Sequence, residues 1–167
     1  MAKRLFEGLA EYLSLVSSDW QILEAAAMLH DVGQHIGFSK HHYHSYYLIK
    51  NSDMVGYTQR EHEIAAITAR YHRRSMPNPA KHFEYAALPQ KDMLLVNKLS
   101  AILRIADALD RAHTSAVDDV QIAVKKEAVE LTVYSKKDVD MELVGIEKKK
   151  DLLESFGKRL TIKLADA

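Results

Sequence analysis

The stretch ILEAAAMLHDVGQHIG, residues 22–37, decides how this chain is read. Its first half is apolar enough to be a core helix, yet it sets His30 beside Asp31 and adds a further histidine at His35. An ionised carboxylate in apolar surroundings is costly unless hydrogen-bond donors, cations or a metal compensate it. Asp31 is therefore either neutralised in place or faces a cavity.

Working outward, the flanking segments are also helical. Leu5, Phe6, Leu9, Leu13 and Val16 recur at helical spacing and predict a first amphipathic helix. Ser18 with Gln21 forms a capping-box pattern that would open the helix carrying His30 and Asp31. HHYHSYYLIKN, residues 41–51, predicts a third helix, and TQREHEIAAITARYHRR, residues 58–74, a fourth opened by Thr58 with Glu61. In the fourth, Ile64, Ala65, Ile67 and Tyr71 form the apolar side, and Glu61 and His72 fall on nearly one line. Residues 75–92 hold all three prolines and no sustained period, which predicts a long loop. KDMLLVNKLSAILRIADALDRAH, residues 91–113, is apolar around most of its circumference and reads as a central helix.

At about residue 117 the pattern changes. Residues 119–137 alternate with period two and predict a hairpin turned at KKEA, residues 125–128. A charged helix over 142–160 and a last strand, RLTIKLA, complete the chain. The expected fold is mainly α: a helical domain over residues 1–116 with a small α+β tail, hairpin, helix and strand, packed on it over 117–167.

Composition limits the functions available. A chain of 167 residues can bury roughly two-thirds of its unfolded surface. It has no cysteine, so any metal is held by nitrogen and oxygen, and a reducing compartment is expected. Lys and Arg total 23, as do Asp and Glu, and a net charge of zero argues against a DNA-binding or membrane-surface protein. Glu7 and Glu11 interrupt what would be the apolar run of a signal peptide, and no apolar segment approaches the ~20 residues of a membrane span. The cytoplasm is the expected location.

Four clusters carry potential chemistry: His30 with Asp31; His41, His42 and His44; His72 with Arg73 and Arg74; and Arg104, Asp107, Asp110 and Arg111. Each has a plain alternative. A satisfied core histidine beside a helix-ending aspartate accounts for the first, a solvated loop for the second, helix-dipole complementarity for the third and an internal salt-bridge ladder for the fourth. Taken together, acids in two strongly apolar helices and histidines where helix ends converge suit a divalent ion such as Mn, Fe, Co, Ni, Zn or Mg. Such an ion would activate water against a phosphoryl centre, with arginines holding the phosphate.

These blocks, LEAAAMLHDVGQHIGFSKHHYHSYYLIKNSDMVGYTQREHEIAAITARYHRR followed by LSAILRIADALDRAH, resemble the helical HD-superfamily domain on the C-terminal side of exopolyphosphatase / guanosine pentaphosphate phosphohydrolase (Ppx/GppA) enzymes. The resemblance runs from about Leu5 to the end of the chain and implies an HD-type helical bundle. It implies metal ligands at His30, Asp31 and Asp107, with His44 and His72 where some members hold a second metal. It further implies catalytic roles for Asp31 and His72, and phosphate contacts from Arg73, Arg74, Arg104 and Arg111. Two departures stand out. Residues 1–21 contain no histidine, so one ligand of the superfamily's set is missing unless His35, His41, His42 or His44 takes its place. The actin-like domains in which that family cleaves phosphoanhydrides are also absent. The expected function is therefore a metal-dependent phosphohydrolase-type domain that binds polyphosphate or a nucleotide, with weak or no hydrolysis from this chain alone. The alternative is a non-catalytic accessory or dimerisation module of an exopolyphosphatase assembly, and a homodimer is among the expected partners.

Overall fold

The computed structural model describes residues 1–73 and 75–166, and its elements are mainly helical with a three-stranded sheet in the C-terminal region. The chain forms two compact units, one of residues 18–103 and one that joins residues 1–17 to residues 104–167. By packing, the first residues thus go with the C-terminal part, although the sequence pattern changes character only at about residue 117.

In the unit of residues 18–103, α2 (Asp19–Leu29) leads through a 3₁₀ turn (Val32–His35) into α3 (His41–Lys50). There follow α4 (Gln59–Arg70), a short α5 (Phe83–Ala86) inside the proline-containing loop, and α6 (Gln90–Ala108), which continues past the unit's boundary. Leu23, Ala26, Ile49, Ile64, Ile67, Leu99 and Ile102 are buried, and α3 packs on α4 and on the 3₁₀ turn. The capping box expected at Thr58 is present: its hydroxyl accepts the Glu61 N–H, and the Glu61 carboxylate takes the Thr58 N–H at 2.8 Å. The one expected at Ser18 is not. Ser18 already has helical angles, φ −67° and ψ −23°, and its side chain makes no capping bond.

In the other unit, α1 (Ala2–Leu9) is shorter than expected and gives way to turns, with Ser14 at φ 49°. β1 (Asp119–Val124) and β2 (Ala128–Tyr134) form the expected hairpin, with Val124 opposite Val129. β3 (Arg159–Ala165) adds to β2 in parallel, giving the order β1-β2-β3. Val129, Leu131 and Val133 bury one face of β2, as period two requires. Helix α1 lies against β1 so closely that a Cβ on Gly8 would stand 2.6 Å from that of Ile122.

The charged helix expected over 142–160 is two helices, α7 (Asp140–Glu147) and α8 (Asp151–Glu154). At the break the Lys149 carbonyl accepts Arg104 Nε at 3.1 Å, while Asp151 takes Arg104 Nη2 at 2.6 Å and the Leu152 N–H at 2.9 Å. The side chain of a distant arginine thus takes the place of helical hydrogen bonding there. No helix among the described residues is long and apolar enough to cross a membrane.

Candidate functional site

Residues that sequence spacing alone leaves scattered meet in the unit of residues 18–103. Helix α2 ends at Leu29, so His30 is its C-cap and Asp31 begins the 3₁₀ turn, with φ −104° and ψ 0°. Asp31 is therefore not the mid-helix acid that the apolar run suggests. It stands where a helix has ended and a side chain can turn toward other elements.

Two features fix that turn against α3. Gly33 has no room for a side chain: a Cβ there would lie 2.3 Å from both the His41 carbonyl oxygen and the Ser45 nitrogen. The Gly33 N–H also donates to the Ser45 hydroxyl at 2.9 Å, with Ser45 fully buried. Lys40, in the left-handed region at φ 57°, turns the chain into α3 so that His41 is its first residue. His72 arrives from the end of α4, just past Arg70.

The result is a compact set of donors. Asp31 Oδ1 lies 2.9 Å from His41 Nε2 and 3.4 Å from His72 Nε2, and the two Nε2 atoms are 3.0 Å apart. His41 and His72 are buried, whereas Asp31 keeps part of its side chain open. His30 flanks the set, its Nε2 3.7 Å from Asp31 Oδ2 and its ring edge-on to His72 at 4.8 Å between centroids. Among the described residues, Asp31, His41 and His72 form the group whose ligand atoms all lie within 4.8 Å of one another. Carboxylate and imidazole without thiolate are donors that a divalent cation accepts, so the residues present fit the kind of ion the resemblance implies.

His44, expected there, is not part of that group; its Cβ would meet a Cβ on Gly33 at 2.7 Å. His41 takes the position instead. The two lie one helical turn apart, and their spacing could not say which of them meets Asp31. His42 is neutral near pH 7, because burial and then the Arg73 charge push its imidazole down to about 4. His35 is exposed.

Arginine flanks this region. Arg73 is half-buried with its guanidinium 5.9 Å from the centre of the exposed Phe38 ring. Arg74 lies outside the described residues. Arg70 is enclosed by Tyr43, Tyr46 and Tyr71 at 4.7, 5.6 and 5.8 Å, and bonds Glu84 at 2.8 Å, clipping the proline-containing loop to α4. Glu61, aligned with His72 by the sequence pattern, is instead committed to the cap of α4.

The remaining expected residues belong to the other unit. Asp107, in the last turn of α6, is ion-paired with Lys149. Arg104 is buried and bonded to Asp151 and the Lys149 carbonyl, so these donors serve the α7–α8 break rather than a soluble phosphate. The ladder expected within residues 104–111 thus finds its partners at residues 149 and 151. Arg111 is exposed.

Residues 1–154 match the family model for domain III of the Ppx/GppA phosphatases. The chain belongs to that family. A guanosine-5'-triphosphate,3'-diphosphate pyrophosphatase of Pseudoalteromonas translucida (strain TAC 125) is 28% identical over 139 residues, covering 78% of this chain and 27% of that protein. A protein of the same description from Vibrio atlanticus (strain LGP32) is 32% identical over 101 residues, covering 59% of this chain and 20% of that protein. This Ppx/GppA chain therefore spans about a quarter or less of the length of these relatives.

Proposed function

We propose that this chain is an HD-type helical module of a Ppx/GppA phosphatase that binds a phosphate-containing ligand, polyphosphate or a nucleotide, beside a divalent cation, and that by itself it hydrolyses that ligand slowly or not at all. The observation that carries this reading is the meeting of Asp31 with His72, which come from separate elements to within 3.4 Å, next to Arg73 in the chain. Family membership supports it, since both relatives are guanosine-5'-triphosphate,3'-diphosphate pyrophosphatases by name.

Within this reading His30, Asp31 and His72 hold the cation. When bound, the cation supplies Lewis acidity to a phosphoryl oxygen. Asp31 provides the negative charge that retains it. Nδ1 of His30 and of His72 each meets a backbone carbonyl, at 2.8 and 2.7 Å, which holds the rings in place. Arg73 and Arg74 are the proposed donors to the phosphate. The lack of cysteine and of a membrane-crossing helix among the described residues supports a cytoplasmic setting.

The accessory or dimerisation reading is favoured by one observation: Asp107, which the resemblance makes a metal ligand, is engaged by the Lys149 ammonium. The two readings separate when the chain is incubated with Mn, Ni, Co or Mg and with polyphosphate, GTP or a generic phosphate ester, following phosphate release and binding in parallel. Salt-sensitive binding with little release is expected. Robust turnover that disappears in Asp31→Ala overturns the claim of weak hydrolysis. Neither binding nor release leaves a purely structural helical domain.

A further inference from the structure

His41 lies outside the ligand set that the resemblance implies, yet its surroundings are built like those of His72. Its Nδ1 meets the Phe38 carbonyl at 3.1 Å, as that of His72 meets Ala69 at 2.7 Å. In both, the carbonyl belongs to the residue three positions back. A carbonyl oxygen only accepts, so each Nδ1 carries the proton and donates it. In the neutral form of each ring, Nε2 then carries the lone pair.

Those two nitrogens stand 3.0 Å apart. A cation that accepts electron pairs fits against two such nitrogens. A proton serves one pair of donors at a time. Here three donors form a triangle with sides of 2.9, 3.0 and 3.4 Å, because Asp31 Oδ1 is the third corner. Ligands at right angles on a six-coordinate ion, with bonds of about 2.1 Å, are about 3.0 Å apart, and tetrahedral ligands about 3.4 Å. The triangle has the size of one face of such a coordination shell.

Nothing about His41 suggests a residue placed for solvation. It is buried, with 4% of its surface exposed, at the first position of α3, and the contact of Gly33 with Ser45 and with its own carbonyl fixes it against the Asp31 turn.

We propose that His41 is a metal ligand in this chain. With His30, Asp31 and His72 it makes a set of three imidazoles and one carboxylate. Such a set selects a borderline first-row ion, Zn, Co, Ni or Fe, over the hard ion Mg, which prefers oxygen. The inference rests on the reading that this module holds a divalent cation.

The test is calorimetric titration of the metal-free full chain with Zn, Co and Mg, with the visible spectrum of bound Co as a second readout. Wild type is expected to bind one Zn or Co and to hold Mg far more weakly. His41→Gln is expected to lose about 100-fold or more in Co affinity, given that even outer partners of a ligand contribute 10–100-fold, and to change the Co spectrum. His44→Gln and His35→Gln are expected to retain both. Should His41→Gln fail to fold, the imidazole ¹⁵N resonances of wild type decide: Nε2 of His41 must shift on Zn addition. Co binding unchanged in a folded His41→Gln, or a His41 Nε2 signal that Zn leaves in place, overturns the inference while leaving the cation reading intact. No Zn or Co binding by wild type overturns both, and a preference for Mg overturns the ion class.

Discussion

Asp31 and Asp107 are both acids at the end of an apolar helix, one in each compact unit, and groups from distant parts of the chain surround each. Their partners differ in kind. Asp107 faces the ammonium of Lys149, a cation that the chain itself supplies. Asp31 faces imidazoles whose Nδ1 atoms meet backbone carbonyls, so that in their neutral form the Nε2 atoms turned to it carry lone pairs instead of charge. The Asp107 pair is electrically complete, whereas the Asp31 group, on our reading, is completed from solution. A buried carboxylate is thus weak evidence for a binding site until its neighbours are known to be donors of electron pairs or donors of charge.

Breaking the complete pair should have the largest effect on stability. Lys149→Met leaves the Asp107 carboxylate, whose side chain is 16% exposed, without its ammonium. Removing one partner of such a pair is expected to cost about 3 kcal/mol, at the lower end for buried pairs because some solvent reaches it. Adding Asp107→Asn to that variant should restore most of the loss, a coupling that a double-mutant cycle by urea denaturation measures. Asp31→Asn, measured without metal, should cost under about 1 kcal/mol. An equal loss in Lys149→Met and Asp31→Asn would erase the contrast.

A middle-sized effect sharpens the other side of the comparison, by moving His41 without altering any donor. Gly33→Ala would place a Cβ 2.3 Å from two backbone atoms of α3, which cannot yield as a side chain can. Overpacking of this kind is expected to cost about 1–3 kcal/mol, and the shift of α3 separates His41 from Asp31. Thermal denaturation reads the first loss and Zn titration the second. Full stability with full Zn affinity would show that the close approach of the turn to α3 does not set the donor triangle.

Much of the fold was legible because it follows from local rules. Thr58 and Glu61 announce the start of α4 three residues apart, and Val129, Leu131 and Val133 announce a strand by alternation. What escaped depends on contacts distant in sequence. The break between α7 and α8 forms where Arg104, far upstream, binds the Lys149 carbonyl and Asp151, and the run EKKKD contains no proline or glycine to mark it. The candidate site was legible in part. Asp31 and His72 were recognised by resemblance, and they do meet. His41 was named only as one of four substitutes, because the choice between it and His44 is made by Gly33 lying bare against the first turn of α3. Gly33 reads in the sequence merely as a residue that weakens a helix end.

The smallest expected effect concerns the Arg70–Glu84 clip, a charge pair of the Asp107 kind that lies in the same unit as Asp31. The Arg70 hydrogen bond, aided by a backbone bond, holds the Glu84 carboxyl below its ordinary value of 4.5. A carboxyl depressed in the folded state stabilises it fully above that ordinary value, and the contribution fades as pH falls through the folded value. Acidification below about pH 4.5 should therefore weaken the hold of α4 on the proline-containing loop, and Glu84→Gln should do so at every pH. Because 36% of the Glu84 side chain is exposed, solvent screens the pair and the loss should stay under about 1 kcal/mol. The check is the difference in stability between wild type and Glu84→Gln at pH 7 and at pH 3: it should shrink on acidification, since the protonated wild-type side chain then resembles the amide. A difference that stays constant or grows as pH falls would show that Glu84 contributes through packing rather than charge.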